Sequence, residues 1–151
     1  GKLFIYGNTG DKFCSSPNTS REGLIDGNIY VSGSVGSNSI QRMRRGIIVI
    51  EKNIGDNCCS NLISGTIIVK GKIGDNFLEN SKRGTIFGSD KKVVKGYRKA
   101  NDANYNFIPF MRKLLELIYD RKVLKGSSFL RYQGCLANST NLTEIFLTRK
   151  N

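Results

Sequence analysis

Glycine returns every nineteen residues through the first half of this chain: Gly27, Gly46, Gly65 and Gly84 form one series, and Gly36, Gly55 and Gly74 another. A fixed period near twenty marks a stacked repeat, because one such unit cannot bury its own apolar face and must lay it against the next. On this ruler the blocks read GNIYVSGSVGSNSIQRMRR, GIIVIEKNIGDNCCSNLIS and GTIIVKGKIGDNFLENSKR, followed by a partial GTIFGSD. The opening GKLFIYGNTGDKF fits as well, with Gly1, Gly7 and Gly10 at the offsets of Gly65, Gly71 and Gly74. The step from Gly1 to Gly27 is twenty-six, so about seven extra residues belong to this first turn. They are placed in CSSPNTSREGLID, where Pro17, Asn18, Thr19 and Ser20 read as an excursion loop.

Apolar residues fall in columns on the same ruler. Leu3, Ile29, Ile48, Ile67 and Ile86 share one offset, and Ile5, Val31, Ile50 and Val69 lie two residues on. Val35, Ile54 and Ile73 make a third column, while Ile40, Cys59 and Leu78, then Met43 and Leu62, mark a further run expected to close each coil. Spacing of two with β-branched residues predicts a strand buried on one face. Repetition predicts that equivalent strands stack in parallel. Short helices are the competing reading, but two or three glycines per block and runs such as Ile47–Ile50 make poor helices. Asn38, Asn57 and Asn76 share one offset and predict an amide ladder, inward or at a corner, that satisfies backbone groups.

The fold class expected is therefore all-β dominated, with residues 1–90 as a parallel β-helix of about four turns. Terminal coils of such a stack expose unpaired strand edges. The chain begins inside a coil, so either upstream sequence or a partner is expected to cover that edge. Residues 91–103, with Lys91, Lys92, Lys95, Arg98 and Lys99, read as a basic connector. Residues 104–151 read as a helix plus terminal strands capping the β-helix. The helix, from about Asn104 to Leu124, rests on Phe107, Phe110, Met111, Leu114, Leu115 and Ile118, with Pro109 in its first turn. It is expected to cover the last coil, with docking of a partner subunit as its other use. FLRYQGCLA and TEIFLTRK then read as a short hairpin joined by NSTN. Whether the hairpin extends the stack is left open.

Charge is uneven. Twenty-four Lys and Arg against twelve Asp and Glu give +12, of which residues 91–151 carry +9. Such a balance suits a nucleic acid, an acidic protein or a polyanionic ligand, or merely a solvated surface. Nucleic acid fits poorly, since aromatic residues are not interleaved with the charges as stacking platforms. Nothing in the sequence reads as a membrane span or a secretion signal.

Histidine is absent, which removes Ser–His and Cys–His pairs and any histidine base or metal ligand. Cys14, Cys58, Cys59 and Cys135 contain no C-x-x-C pair, so no zinc site is expected. Adjacent Cys58 and Cys59 are expected on opposite faces of a strand, reduced, in a cytoplasmic protein. Asp11, Asp56 and Asp75 share an offset, an acid ladder interrupted by Ser37, for which turn chemistry is sufficient explanation. No catalytic constellation emerges.

The coil pattern G-x-I-x-V-x-G-x-x-G-D/S-x, with Met or Leu seven residues beyond its second glycine, is carried by several positions. They are Gly27, Gly33 and Gly36; Gly46 and Gly55; Gly65, Gly71 and Gly74; and Met43 and Leu62. The pattern resembles the GXGXG repeat family. That family includes the C subunits of formylmethanofuran dehydrogenase and of the formyltransferase/hydrolase complex, and the C-terminal domain of glutamate synthase. The tail is similar to the close of the formyl-handling C subunits at Phe129, Gly134, Leu136, Ala137, Glu144 and Ile145. It departs from them at Cys135, where Asp is usual, and Lys52 replaces a coil glycine.

The resemblance implies a right-handed parallel β-helix and a non-catalytic subunit of one-carbon metabolism. Formyl transfer and amide hydrolysis would occur on partner subunits, a formyltransferase and a metal-dependent amidohydrolase. The carrier would be a methanofuran-type coenzyme with a glutamate-built tail. Arg42, Arg44 and Arg45, with Lys82 and Arg83 at the equivalent edge two coils on, are the candidate contacts for that acidic tail. A glutamate synthase-type structural domain is the alternative.

Overall fold

The computed structural model of the chain describes residues 1–17, 20–90, 92, 94–100, 106–126, 128–134 and 141–149. Five strands open it: β1 (Lys2–Ile5), β2 (Asn28–Val31), β3 (Ile47–Ile50), β4 (Thr66–Val69) and β5 (Thr85–Gly88). They pair in parallel, each with the next. Ile48 lies opposite Ile67, which lies opposite Ile86, so the register advances nineteen residues per strand. Leu3 lies opposite Ile29, twenty-six residues on, as the excursion in the first block requires.

Two further stretches of each block are hydrogen-bonded to their equivalents. Val35, Ile54 and Ile73 form successive parallel bridges. Beyond them the Cys59 amide donates to the Ser39 carbonyl at 2.9 Å, and the Leu78 amide to the Cys58 carbonyl at 3.1 Å. In this third stretch alternate residues adopt positive φ: Asn38, Asn57 and Asn76 lie at 54–56°, and Ile40, Cys59 and Leu78 at 58–62°. Asparagine tolerates that conformation, whereas a β-branched residue such as Ile40 adopts it only when its surroundings impose it. The Ile40 amide bonded to the Phe13 carbonyl, and its side chain wholly buried, do so. The asparagines stand at a corner, where Asn76 Nδ2 donates to Asn57 Oδ1 at 3.1 Å.

The predicted columns meet in one buried cluster: Ile29, Ile48, Ile67 and Ile86 with Val31, Ile50 and Val69, then Val35, Ile54, Ile73, Ile40, Leu78, Met43 and Leu62. Leu3, at the open edge of the sheet, is half exposed. Two expectations are corrected. Cys58 and Cys59 lie in a turn, not a strand, and both face this same cluster, because the positive φ of Cys59 breaks the alternation of an extended chain. Strands β2 to β5 are also buried on both faces, not one. Tyr30, Val49, Ile68 and Phe87 form a second core on the other side of the sheet.

That second face is covered by α1 (Phe107–Tyr119). Pro109 sits in its first turn, where no intrahelical donor is needed, and Asp120 ends it in the left-handed region at φ 53°. Residues 101–105, where the helix was expected to begin, lie outside the described residues. Ile108, Leu115 and Tyr119 make its buried side. The helix does not cover the end of the stack, which corrects the expected capping role. It runs across the strands: Phe107 meets Phe146 at 5.5 Å, and Tyr119 meets Tyr30 and Phe4 at 6.1 Å each. Its thirteen residues span about 20 Å, and the aromatic side chains at its two ends make up the rest of the roughly 24 Å from the first to the last of six strands spaced about 4.8 Å apart. The Tyr119 hydroxyl donates to the Ile47 carbonyl at 2.9 Å and fixes its far end.

Three more strands complete the sheet. β6 (Tyr97–Lys99), within the stretch read as a connector, pairs antiparallel with β7 (Phe129–Gly134), and β7 with β8 (Glu144–Thr148). β8 joins β5 in parallel, with Ile86 opposite Ile145, so the hairpin extends the sheet to eight strands. The turn NSTN up to Thr140, the matching positions Leu136 and Ala137 and the departing Cys135 lie outside the described residues. A buried polar knot locks this end: the Ser81 and Tyr97 hydroxyls lie 2.6 Å apart, and Thr143 Oγ1 donates to Ser81 Oγ at 3.1 Å.

Candidate functional site

Each block finishes on a buried residue, Met43, Leu62 or Ser81, followed by two positions before the glycine that leads into the next strand, exposed in the first and third blocks and half-buried in the second. Those positions are Arg44 and Arg45, Ile63 and Ser64, and Lys82 and Arg83. Because equivalent residues of neighbouring blocks are about 4.8 Å apart, the backbones of Arg45 and Arg83 stand about 10 Å apart along one edge. A groove of about 540 Å³ runs between them, lined by Arg44, Arg45, Lys82 and Arg83 with Ile63, Ser64 and Leu142. The Leu142 amide donates to the Lys82 carbonyl at 2.6 Å, which brings the lead-in to β8 to the groove wall.

Four of the five predicted residues are thus assembled in one place. Arg42 is not. It has a positive φ of 57°, and its guanidinium donates to the Ser20 carbonyl at 2.8 Å, so it pins the excursion loop and leaves the groove. Arg44 pairs with Glu22 and is partly neutralised. Among the described residues no carboxylate pairs with Arg45, Lys82 or Arg83. Three cations therefore share an open groove with two apolar side chains, an arrangement suited to a ligand carrying several carboxylates on a methylene chain. Ile63 was legible only as the ruler equivalent of Arg44. Leu142 lies beyond the ruled blocks and gave no signal.

The acid ladder is structural. The Ser37 amide donates to Asp11 Oδ1 at 2.8 Å, the Asp56 amide to Ser37 Oγ at 3.2 Å, and the Asp75 amide to Asp56 Oδ1 at 2.7 Å. Ser37 therefore continues the series with a hydroxyl in place of a carboxylate. Asn8, Ser34 and Asn53 form a parallel series, accepting from the amides of Ser34, Asn53 and Lys72. Among the described residues no three His, Cys, Asp or Glu side chains are grouped to hold a metal ion. Burial pushes the Cys14 and Cys58 thiols up to about 11, so both are protonated and weakly nucleophilic near neutral pH. No helix among the described residues is long and apolar enough to cross a membrane.

No family model matches the chain, and no curated protein matches it. Among solved structures it is similar to a chain in the crystal structure of the formyltransferase/hydrolase complex FhcABCD from Methylorubrum extorquens in complex with methylofuran. The likeness has a TM-score of 0.85 and 25% identity, over 99% of this chain and 57% of that one. The chain therefore spans a little over half the length of its structural neighbour.

Proposed function

We propose that the chain is a right-handed parallel β-helix of the GXGXG type, acting as the structural C subunit of a formyl-handling complex in the cytoplasm. The observation that carries this reading is the likeness of nearly the whole chain to part of the methylofuran-bound complex. In this reading the chemistry belongs to partner subunits, an amidohydrolase and a formyltransferase, and this chain organises them. The absence of histidine and the use of the aligned aspartates as backbone acceptors support a platform without reactive groups of its own. Co-expression with those two subunits is expected to yield one complex. Turnover of a formyl compound by this chain alone would overturn the non-catalytic role.

The groove is assigned to the acidic tail of a methanofuran-type carrier. Guanidinium groups at Arg45 and Arg83 take carboxylates in bidentate fashion, Lys82 adds a point charge, and Ile63 and Leu142 face the methylene segments. Each exposed pair contributes modestly, about 0.5–1 kcal/mol. The variant Arg45→Glu/Lys82→Glu/Arg83→Glu is therefore expected to bind a polyglutamate oligomer about 10- to 100-fold more weakly in titration calorimetry. Wild-type affinity should fall as salt rises, and Arg42→Ala should leave it unchanged. Equal, salt-insensitive binding by wild type and triple variant would remove the groove from the reading.

A further inference from the structure

The excursion loop of the first block is laid against the wall of the basic groove. The Gly23 amide donates to the Arg42 carbonyl at 2.8 Å, and the Arg44 and Arg45 amides donate to the Leu24 carbonyl at 2.8 and 3.4 Å. A Cβ on Gly23 would stand 2.2 Å from the Gln41 carbonyl oxygen, so the approach is open to glycine alone. The Arg42 guanidinium holds the Ser20 carbonyl. Ser20 then turns the chain, its hydroxyl donating to the Glu22 carbonyl at 2.9 Å and accepting from the Glu22 amide at 3.2 Å. Together these bonds deliver the Glu22 carboxylate to Arg44. Among the described residues, Arg44 is the one groove cation met by a carboxylate of its own chain.

We infer that Glu22 is a specificity-determining residue of the groove: a built-in carboxylate that rejects polyanions of high charge density, such as phosphate chains, and leaves the groove to ligands with widely spaced carboxylates. This rests on the acidic-tail reading above and adds what the groove turns away. Without Glu22, Arg44 and Arg45 would be adjacent free guanidinium groups with Lys82 and Arg83 two coils on, a cluster that takes phosphate at least as well as carboxylate. A fixed negative charge acts on every ligand charge within about 8 Å at physiological salt. A short phosphate chain keeps nearly all its charges inside that radius, whereas a glutamate chain brings only its nearest carboxylates there. The penalty therefore falls mainly on the denser ligand. Discrimination comes from a repulsive element, with no new attraction needed.

The test titrates tripolyphosphate and a polyglutamate oligomer into the full chain and into its Glu22→Gln variant, by calorimetry at physiological salt. Glutamine keeps the length of the side chain and an oxygen for Arg44, so the melting temperature is expected to stay within a few degrees of wild type. Glu22→Gln should bind tripolyphosphate about 10-fold more tightly, and polyglutamate about 3-fold more tightly or less. Arg44→Ala should change tripolyphosphate binding little in the wild type and abolish the gain in the Glu22→Gln background. If Glu22→Gln tightens both ligands equally, or neither, Glu22 selects nothing, and the inference falls while the groove reading stands. If Arg44→Ala weakens the wild type as much as it weakens Glu22→Gln, the carboxylate does not mask Arg44, and the inference falls on that count. If polyglutamate binds the wild type no better than the Arg45/Lys82/Arg83 triple variant, the groove reading fails and the inference fails with it.

Discussion

Gly74→Ala is expected to lower the unfolding free energy by about 3–5 kcal/mol, whereas Gly10→Ala, at the same offset of the repeat, should change it by about 0.5 kcal/mol or less. The difference comes from what lies on the neighbouring block. A Cβ on Gly74 would stand 2.5 Å from the carbonyl carbon and oxygen of Gly55 and from Asp56 Oδ1. Two of those atoms are backbone, held by the ladder of amides donating into Asp11, Ser37 and Asp56, so the clash cannot be relieved by a side-chain rotation. A Cβ on Gly10 meets nothing within 4 Å. Gly36 and Gly55 share the constraint of Gly74. Urea unfolding of the two alanine variants checks this, and equal midpoints would mean that the blocks do not approach as closely as described.

Tyr119→Ala is expected to cost about 4–5 kcal/mol, and Tyr119→Phe only about 1 kcal/mol. The ring is 1% exposed and touches both Phe4 and Tyr30, so its removal opens a cavity under the C-terminal end of α1. The hydroxyl contributes one bond, to the Ile47 carbonyl, and only that bond is lost in the phenylalanine variant. Most of the expected effect therefore belongs to packing. A loss below about 1 kcal/mol for the alanine variant, measured in the same urea titrations, would show that the helix is not seated on the sheet.

The inner core was legible because its columns repeat: Ile48, Ile67 and Ile86 announce one another at a fixed interval, and no tertiary knowledge is needed to line them up. The outer core was not. Phe4, Tyr30, Val49, Ile68 and Phe87 occupy one offset but mix aromatic and aliphatic residues, and their cover comes from a helix that follows no ruler. The continuous run Ile47–Ile50 carried the missed signal, since a strand buried on both faces loses the polar alternation. β6 was missed because Tyr97–Lys99 is three residues long and two of them are charged, which reads as solvated chain. Arg44, Arg45, Lys82 and Arg83 share offsets of the repeat, and they line one groove. Arg42, read on the same coil edge, lies apart from the groove, because at a positive φ its guanidinium donates to the Ser20 carbonyl of the excursion loop.

An array in which each unit touches only its neighbours can fray from either edge, unit by unit. The helix lying crosswise over β8 through β1 removes that freedom, because loosening any one strand strips a contact from a single rigid rod shared by all six. Amide exchange in these strands should accordingly proceed through one global opening, with no gradient of protection from the outermost strand inward. The edges of the sheet then stay ordered with no neighbour in place.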